Sequence, residues 1–88
     1  MIIEFDLAKD RVNMQKHGMS LADAGLIDWS SAMIVEDGRK DYSETRYQAL
    51  GILDDRLVFV VFTPRNDAIR VISLRKANKR EVRNYEQA

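Results

Sequence analysis

The 88-residue chain has no cysteine, a single histidine, one proline and one tryptophan. Without cysteine there is no disulfide framework, no thiolate nucleophile and no cysteine metal site, a pattern that fits a reducing cytoplasm. A metal would have to be held by carboxylates, and Glu36, Asp37, Asp41 and Glu44 lack the ligand spacing of a calcium loop, so neither metal nor cofactor is expected. The four glycines, Gly18, Gly25, Gly38 and Gly51, are too scattered for a phosphate-cradling loop, and nucleotide hydrolysis is set aside. The longest apolar run, Leu57 to Phe62, falls far short of the roughly 18 residues of a membrane span. MIIEFD at the start is acidic where a secretory signal would be basic, so a cytoplasmic location is expected. With no Pro/Gly-rich break, residues 1–88 are expected to form one domain around a single core.

Net charge is also missing: 14 Lys and Arg balance 14 Asp and Glu. The balance is uneven along the chain. Residues 1–64 hold seven basic against eleven acidic side chains, and residues 65–88 hold seven against three. Six of the basic ones fall within IRVISLRKANKREVRNYE, Ile69 to Glu86. Gathered on one surface they would form a local field for phosphate; the alternative is a solvated, salt-bridged face.

Local signals predict an α+β order of elements. Ile2 to Phe5 is a short apolar strand candidate, and Asp6 can cap a helix from Leu7 to about His17 that Gly18 ends. Ser20 to Asp23 has the spacing of a capping box for a short second helix, about Leu21 to Asp28. Leu7, Ala8, Val12, Leu21, Ala24 and Ile27 are expected to pack these helices on one face of a sheet, with Trp29 in the seam. Strands are predicted at Ala32–Glu36, Tyr47–Leu53, Leu57–Thr63 and Ile69–Arg75. The tight turn Asp54-Asp55 and the turn Pro64 to Asp67, with Pro64 ending the ladder, imply an antiparallel meander. Leu57 to Phe62, apolar on both faces, belongs at the sheet centre. Asp37 to Glu44 reads as a polar, mobile loop. Asn78 and Glu81 then cap a last helix in which Val82 and Tyr85 pack one stripe and Lys79, Arg80 and Arg83 flank it.

A serine triad is poorly served, since His17 at a helix end more often meets the last carbonyls. The remaining set of Arg, Lys and Tyr suits cleavage of RNA by its own 2′-hydroxyl, a reaction in which the substrate brings the nucleophile. Arginines bind the phosphate and its developing charge by forked hydrogen bonds. Lys76, Tyr85 or His17 can move protons, and crowded cations draw such groups toward useful pKa values.

The ordered blocks Phe5-Asp6, Ala8-Lys9, Asn13, Lys16-His17-Gly18; Ser20, Asp23-Ala24; Asp41-Tyr42, Glu44, Arg46-Tyr47, Ala49-Leu50-Gly51; and the IR.IS.RKA..RE...YE block together resemble the BrnT family of toxins, the ribonuclease halves of type II toxin–antitoxin pairs. The resemblance runs over nearly the whole chain. It implies a RelE-like fold: an N-terminal strand and two helices, an antiparallel meander, and a C-terminal helix beside a basic concave face. It implies RNA cleavage that arrests translation, and neutralisation by a BrnA-like antitoxin with a ribbon-helix-helix domain, DNA being contacted only through that complex. Onto this chain it carries Arg70, Arg75, Lys76, Arg80 and Tyr85 as catalytic candidates and Lys16, His17 and Arg46 as substrate contacts; Arg65 and Lys79 extend the RNA track. Arg70 and Arg75 are expected to hold the scissile phosphate, Arg80 to stabilise its charge, and Lys76 and Tyr85 to share proton transfer. The alternative for Tyr85 is stacking a base or packing the helix, and for Arg46 an ion pair with Glu44 or Glu36. Leu74, Pro64 and Asn78 depart from the family pattern. A non-catalytic toxin-like module that binds an antitoxin or nucleic acid is the alternative reading.

Overall fold

A computed structural model describes residues 1–39 and 41–88. The elements run β1 (Ile2–Glu4), α1 (Leu7–His17), a 3-10 segment (Leu21–Leu26), β2 (Asp28–Glu36), β3 (Tyr47–Leu53), β4 (Arg56–Arg65), β5 (Ala68–Lys76) and α2 (Lys79–Gln87). The strands form one sheet in the order β1-β5-β4-β3-β2. From β2 to β5 the pairing is the expected antiparallel meander. β1 departs from it by pairing parallel to β5, Ile3 opposite Ile69, so the sheet is mixed. Among the described residues no helix is long and apolar enough to cross a membrane.

Local caps fix the helix ends. The Asp6 side chain accepts from the Lys9 N–H at 3.0 Å, and Gly18 closes α1 with a positive φ of 68°. Asn78 and Glu81 form a full capping box at α2, each side chain accepting from the other's backbone N–H. The second helical segment is shorter than expected and 3-10 rather than α. Ser20 caps it weakly, accepting from the Ala22 N–H at 3.2 Å. Asp10, not Asp23, completes the start: its Oδ1 accepts from the Ser20 hydroxyl and, at 2.7 Å, from the Leu21 N–H.

β4 is buried on both faces, as its unbroken apolar run requires. Val58, Val60 and Phe62 join Leu21, Ala24, Ile27, Val71 and Leu74 in a core under the 3-10 segment. Phe59 and Val61 join Leu50 and Ala77 on the opposite face, where Val82 and Tyr85 of α2 pack. Trp29 closes the first core, edge-on to Phe62 at 5.4 Å, with its indole N–H donating to Ala24 O. Gly51 is required by a close approach, since a Cβ there would meet Ile27 Cγ2 at 2.6 Å.

Two sequence-based expectations are corrected, and a third is added to. Leu7 and Val12 do not enter the seam and are 70 % and 53 % exposed; Ala8 is exposed as well. The residue that α1 buries is Asn13. β1 covers only the start of β5, leaving a bare backbone edge further on, and the Asn13 amide fills it: Nδ2 donates to Leu74 O and Met19 O, each at 2.8 Å, while Oδ1 accepts from the Leu74 N–H at 3.1 Å. A polar side chain thus stands in for a missing strand. Second, Pro64 does not end the ladder, because β4 continues to Arg65. Arg65 and Ala68 close the two-residue turn, so by alternation the Pro64 nitrogen points away from β5, toward a side where β3 has already begun at Tyr47, opposite Phe62; no N–H is missed. Third, the polar loop after β2 starts on a buried carboxylate. Asp37 takes a two-pronged bond from Arg39 at 2.8 Å, and that guanidinium holds its pKa well below the usual carboxylate range. Lys40 of this loop lies outside the described residues.

Candidate functional site

β5 and the corner into α2 organise the basic residues. The register puts Arg70 opposite Thr63 on one side and Glu4 on the other, and Arg75 opposite Phe59. Five residues of extended chain separate Arg70 from Arg75, about 16 Å between Cα atoms. Arg75 is held elsewhere, so the two do not converge on one point.

Arg75 is the most constrained of the candidates. Its Nη1 and Nη2 donate to Glu81 Oε1 and Oε2, each at 2.9 Å, and Nη1 also donates to Lys76 O at 3.2 Å. The guanidinium lies 4.3 Å from the centroid of the Phe59 ring. Glu81 in turn accepts from the Asn78 N–H, so one carboxylate caps α2 and ties it to β5. The Arg75 guanidinium, by its hydrogen bonds, lowers the Glu81 pKa from its ordinary value. Only the end of the fork is used. The Nε side of the guanidinium has no hydrogen-bond partner among the described residues, and the side chain is 30 % exposed. That free side offers two parallel N–H groups, the geometry that matches two oxygens of a phosphate.

The other cations lie to either side of this corner. Lys76 and Lys79 line a shallow cavity with Val82 and Arg83 on one flank of α2, and Arg80 lines a groove with Glu81 and Asn84 on the other. Lys16 and His17, at the end of α1, share a groove with Lys9, Asn13, Ile72 and Ser73, the β5 residues between Arg70 and Arg75. A basic strip therefore follows β5 from Arg70, past the α1 groove, to Arg75 and Lys76. The Asn13 bond to Leu74 is what fixes α1 against that strip.

Three candidates stand differently. The Tyr85 hydroxyl donates to Ser31 O at 2.9 Å and its ring packs in the α2 core, so it anchors the helix to β2. Arg46 donates from Nε to Glu44 and covers the Tyr42 ring at 4.0 Å, in a loop lined by Glu36, Asp37 and Asp41. Arg65 is exposed at the far end of β4. Among the described residues no three His, Asp or Glu side chains are placed to hold a metal ion.

Sequence reasoning found the capping role of Glu81 but not its grip on Arg75, and it missed Phe59 beneath the guanidinium and Asn13 at the strand edge. The capping box was a local signal; the other contacts join separate elements. Comparison with known proteins gives one family: a profile described as the ribonuclease toxin, BrnT, of type II toxin–antitoxin systems matches residues 5–81. No curated protein matches the chain.

Proposed function

Since the chain belongs to the BrnT family of type II toxin–antitoxin ribonuclease toxins, we propose that it is a metal-independent endoribonuclease of RelE-like fold. It acts in the cytoplasm, arrests translation by cutting RNA, and is silenced by a BrnA-like ribbon-helix-helix antitoxin through which alone it meets DNA. The observation that carries this reading is Arg75, pre-oriented by Glu81 and Phe59 with its Nε side open.

In the proposed reaction the RNA 2′-oxygen attacks the adjacent phosphorus, the bond to the 5′-oxygen breaks, and a 2′,3′-cyclic phosphate and a 5′-hydroxyl result. Arg75 holds two non-bridging oxygens of the scissile phosphate by its free fork. Arg80, on the neighbouring turn of α2, adds charge as the dianionic transition state develops. Lys76, exposed beside Arg75, takes part in proton transfer. Arg70, about 16 Å along β5, holds a neighbouring phosphate rather than the same one. Lys16, His17 and Lys79 extend the track, and Arg46 and Arg65 serve its margins. Tyr85, its hydroxyl given to Ser31, positions α2 and offers a ring edge to a base.

The non-catalytic module has one observation in its favour: Glu81 already occupies half of Arg75. Arg75→Lys separates the readings, because lysine keeps the charge and loses the fork. A fall in kcat with RNA binding retained supports catalysis; no turnover in wild type and variant alike, with weaker RNA binding as the only effect, supports the module.

A further inference from the structure

The sheet has one long open edge. β2 spans Asp28–Glu36 and pairs on one side with β3, in regular register over Met33–Glu36, while among the described residues no strand lies on its other side. Asp37 N–H donates to Arg46 O at 2.7 Å, and this bond continues the Met33↔Leu50 and Val35↔Gln48 register. By antiparallel alternation the N–H and C=O groups of Ile34 and Glu36 therefore point away from the sheet. Proteins usually blunt such edges with charges, proline or a bulge at the exposed stretch. β2 has its irregularity earlier, between Asp28 and Met33; the regular stretch that follows, Met33-Ile34-Val35, carries no charge or proline, and Ile34 and Val35 are 47 % and 53 % exposed.

The edge borders a groove of about 370 Å3 whose walls include Met33, Val35, Phe59, Arg80, Asn84 and Glu81, the last with its carboxylate already taken by Arg75. Its floor is apolar, and Arg80 is its one basic wall residue. Arg80 has no ion-pair partner among the described residues. An occupant that fits is an extended segment, apolar toward the groove, with a carboxylate toward Arg80.

We infer that the Met33–Glu36 edge of β2 is where the antitoxin docks, adding a strand to the sheet and laying an acidic and an apolar side chain in the groove beside Arg80. The inference rests on the toxin reading, which supplies the partner. It also gives that partner a way to silence the site: its carboxylate takes the arginine proposed to meet the reacting phosphate. A second copy of the chain fits less well. Because β2 is irregular before Met33, self-pairing about Ile34 joins only the short regular stretch, and Met33 and Val35 bring no carboxylate to Arg80.

The test uses Ile34→Pro and Ile34→Ala in the full chain, with the antitoxin identified as the protein whose co-expression relieves toxicity. Proline removes an N–H that points to solvent in the free protein, so the fold tolerates it, whereas an added strand does not. Antitoxin affinity should fall by about tenfold or more for Ile34→Pro, and by much less for Ile34→Ala. Ribonuclease activity of both free variants should equal that of the wild type. Amide exchange in the wild-type complex should slow at Ile34 and Glu36 relative to the free chain, a reading that stands if Ile34→Pro fails to fold. Unchanged affinity and unprotected amides would overturn the proposal. So would a change in self-association alone, which would assign the edge to a second copy. Lost antitoxin binding in a chain without ribonuclease activity would keep the docking edge and overturn the enzyme instead; absence of any neutralising partner would overturn the docking edge and leave the enzyme.

Discussion

Asn13 is the position where a small change should cost most. Its amide satisfies three backbone groups around Leu74, which is fully buried, and Met19, which is nearly so. Asn13→Ala leaves the Leu74 N–H and the Leu74 and Met19 carbonyls without partners. Each orphaned buried group costs about 1–3 kcal/mol, and allowing for relaxation the sum is about 3–5 kcal/mol. A chain of this length has about 4–13 kcal/mol in all. At about 5 °C per kcal/mol, thermal unfolding followed by circular dichroism should drop by roughly 15–25 °C. Asn13→Asp makes the same point through pH. One oxygen can still accept from Leu74 N–H, but the other faces two carbonyls, so the carboxyl is better protonated and its folded pKa lies above the unfolded value. A raised pKa gives stability that is present below the unfolded pKa and lost as pH rises through the folded one. The gap in Tm between wild type and Asn13→Asp should therefore widen from pH 4 to pH 7. An Asn13→Ala loss below about 1 kcal/mol, or a pH-independent Asp gap, would refute the role given to this amide.

Glu81→Gln keeps an acceptor for the Asn78 N–H but removes the charge facing Arg75, so about 1 kcal/mol should be lost at pH 7. Because the Glu81 pKa is lowered, its contribution is present above the unfolded pKa and lost as pH falls through the folded one; thermal melts of variant and wild type should converge as the pH falls below the folded pKa. The β3–β4 turn places Asp54 and Asp55 at φ of 47° and 66°, a conformation that Asn-Gly adopts with less strain. Asp54→Asn with Asp55→Gly should stabilise the chain by about 0.5–1 kcal/mol, read as a rise in Tm of a few degrees.

What the sequence showed clearly was what neighbours in the chain decide. Asp6, Gly18 and Asn78 cap helices where their types and spacing indicated, and Asp54-Asp55 makes the tight turn. The double-sided burial of β4 followed from its apolar run. What stayed hidden depends on distant partners. Asn13 meets a strand 61 residues away, and nothing in its own surroundings shows that the edge there is bare. Leu7 and Val12 carried the apolar spacing of a packed helix, yet α1 leans on the sheet rim through one polar residue and leaves them in solvent. Ile2–Glu4 is too short to announce a parallel pairing. In the site the basic residue types were legible, but their grouping was not: only the β5 register separates Arg70 from Arg75, and only the fold turns the capping Glu81 onto a guanidinium.

The most direct test of the proposed function is the chemistry of RNA ends recovered from bacteria after induced expression of the chain alone, beside Arg75→Lys. Attack by the 2′-hydroxyl at a site built on the Arg75 fork predicts new fragments ending in 2′,3′-cyclic phosphate and beginning with 5′-hydroxyl. Those fragments should disappear, or fall by at least about a hundredfold, when Arg75 becomes lysine. Intact RNA with soluble folded protein, fragments with 3′-hydroxyl and 5′-phosphate ends, or full cleavage by Arg75→Lys would each contradict it.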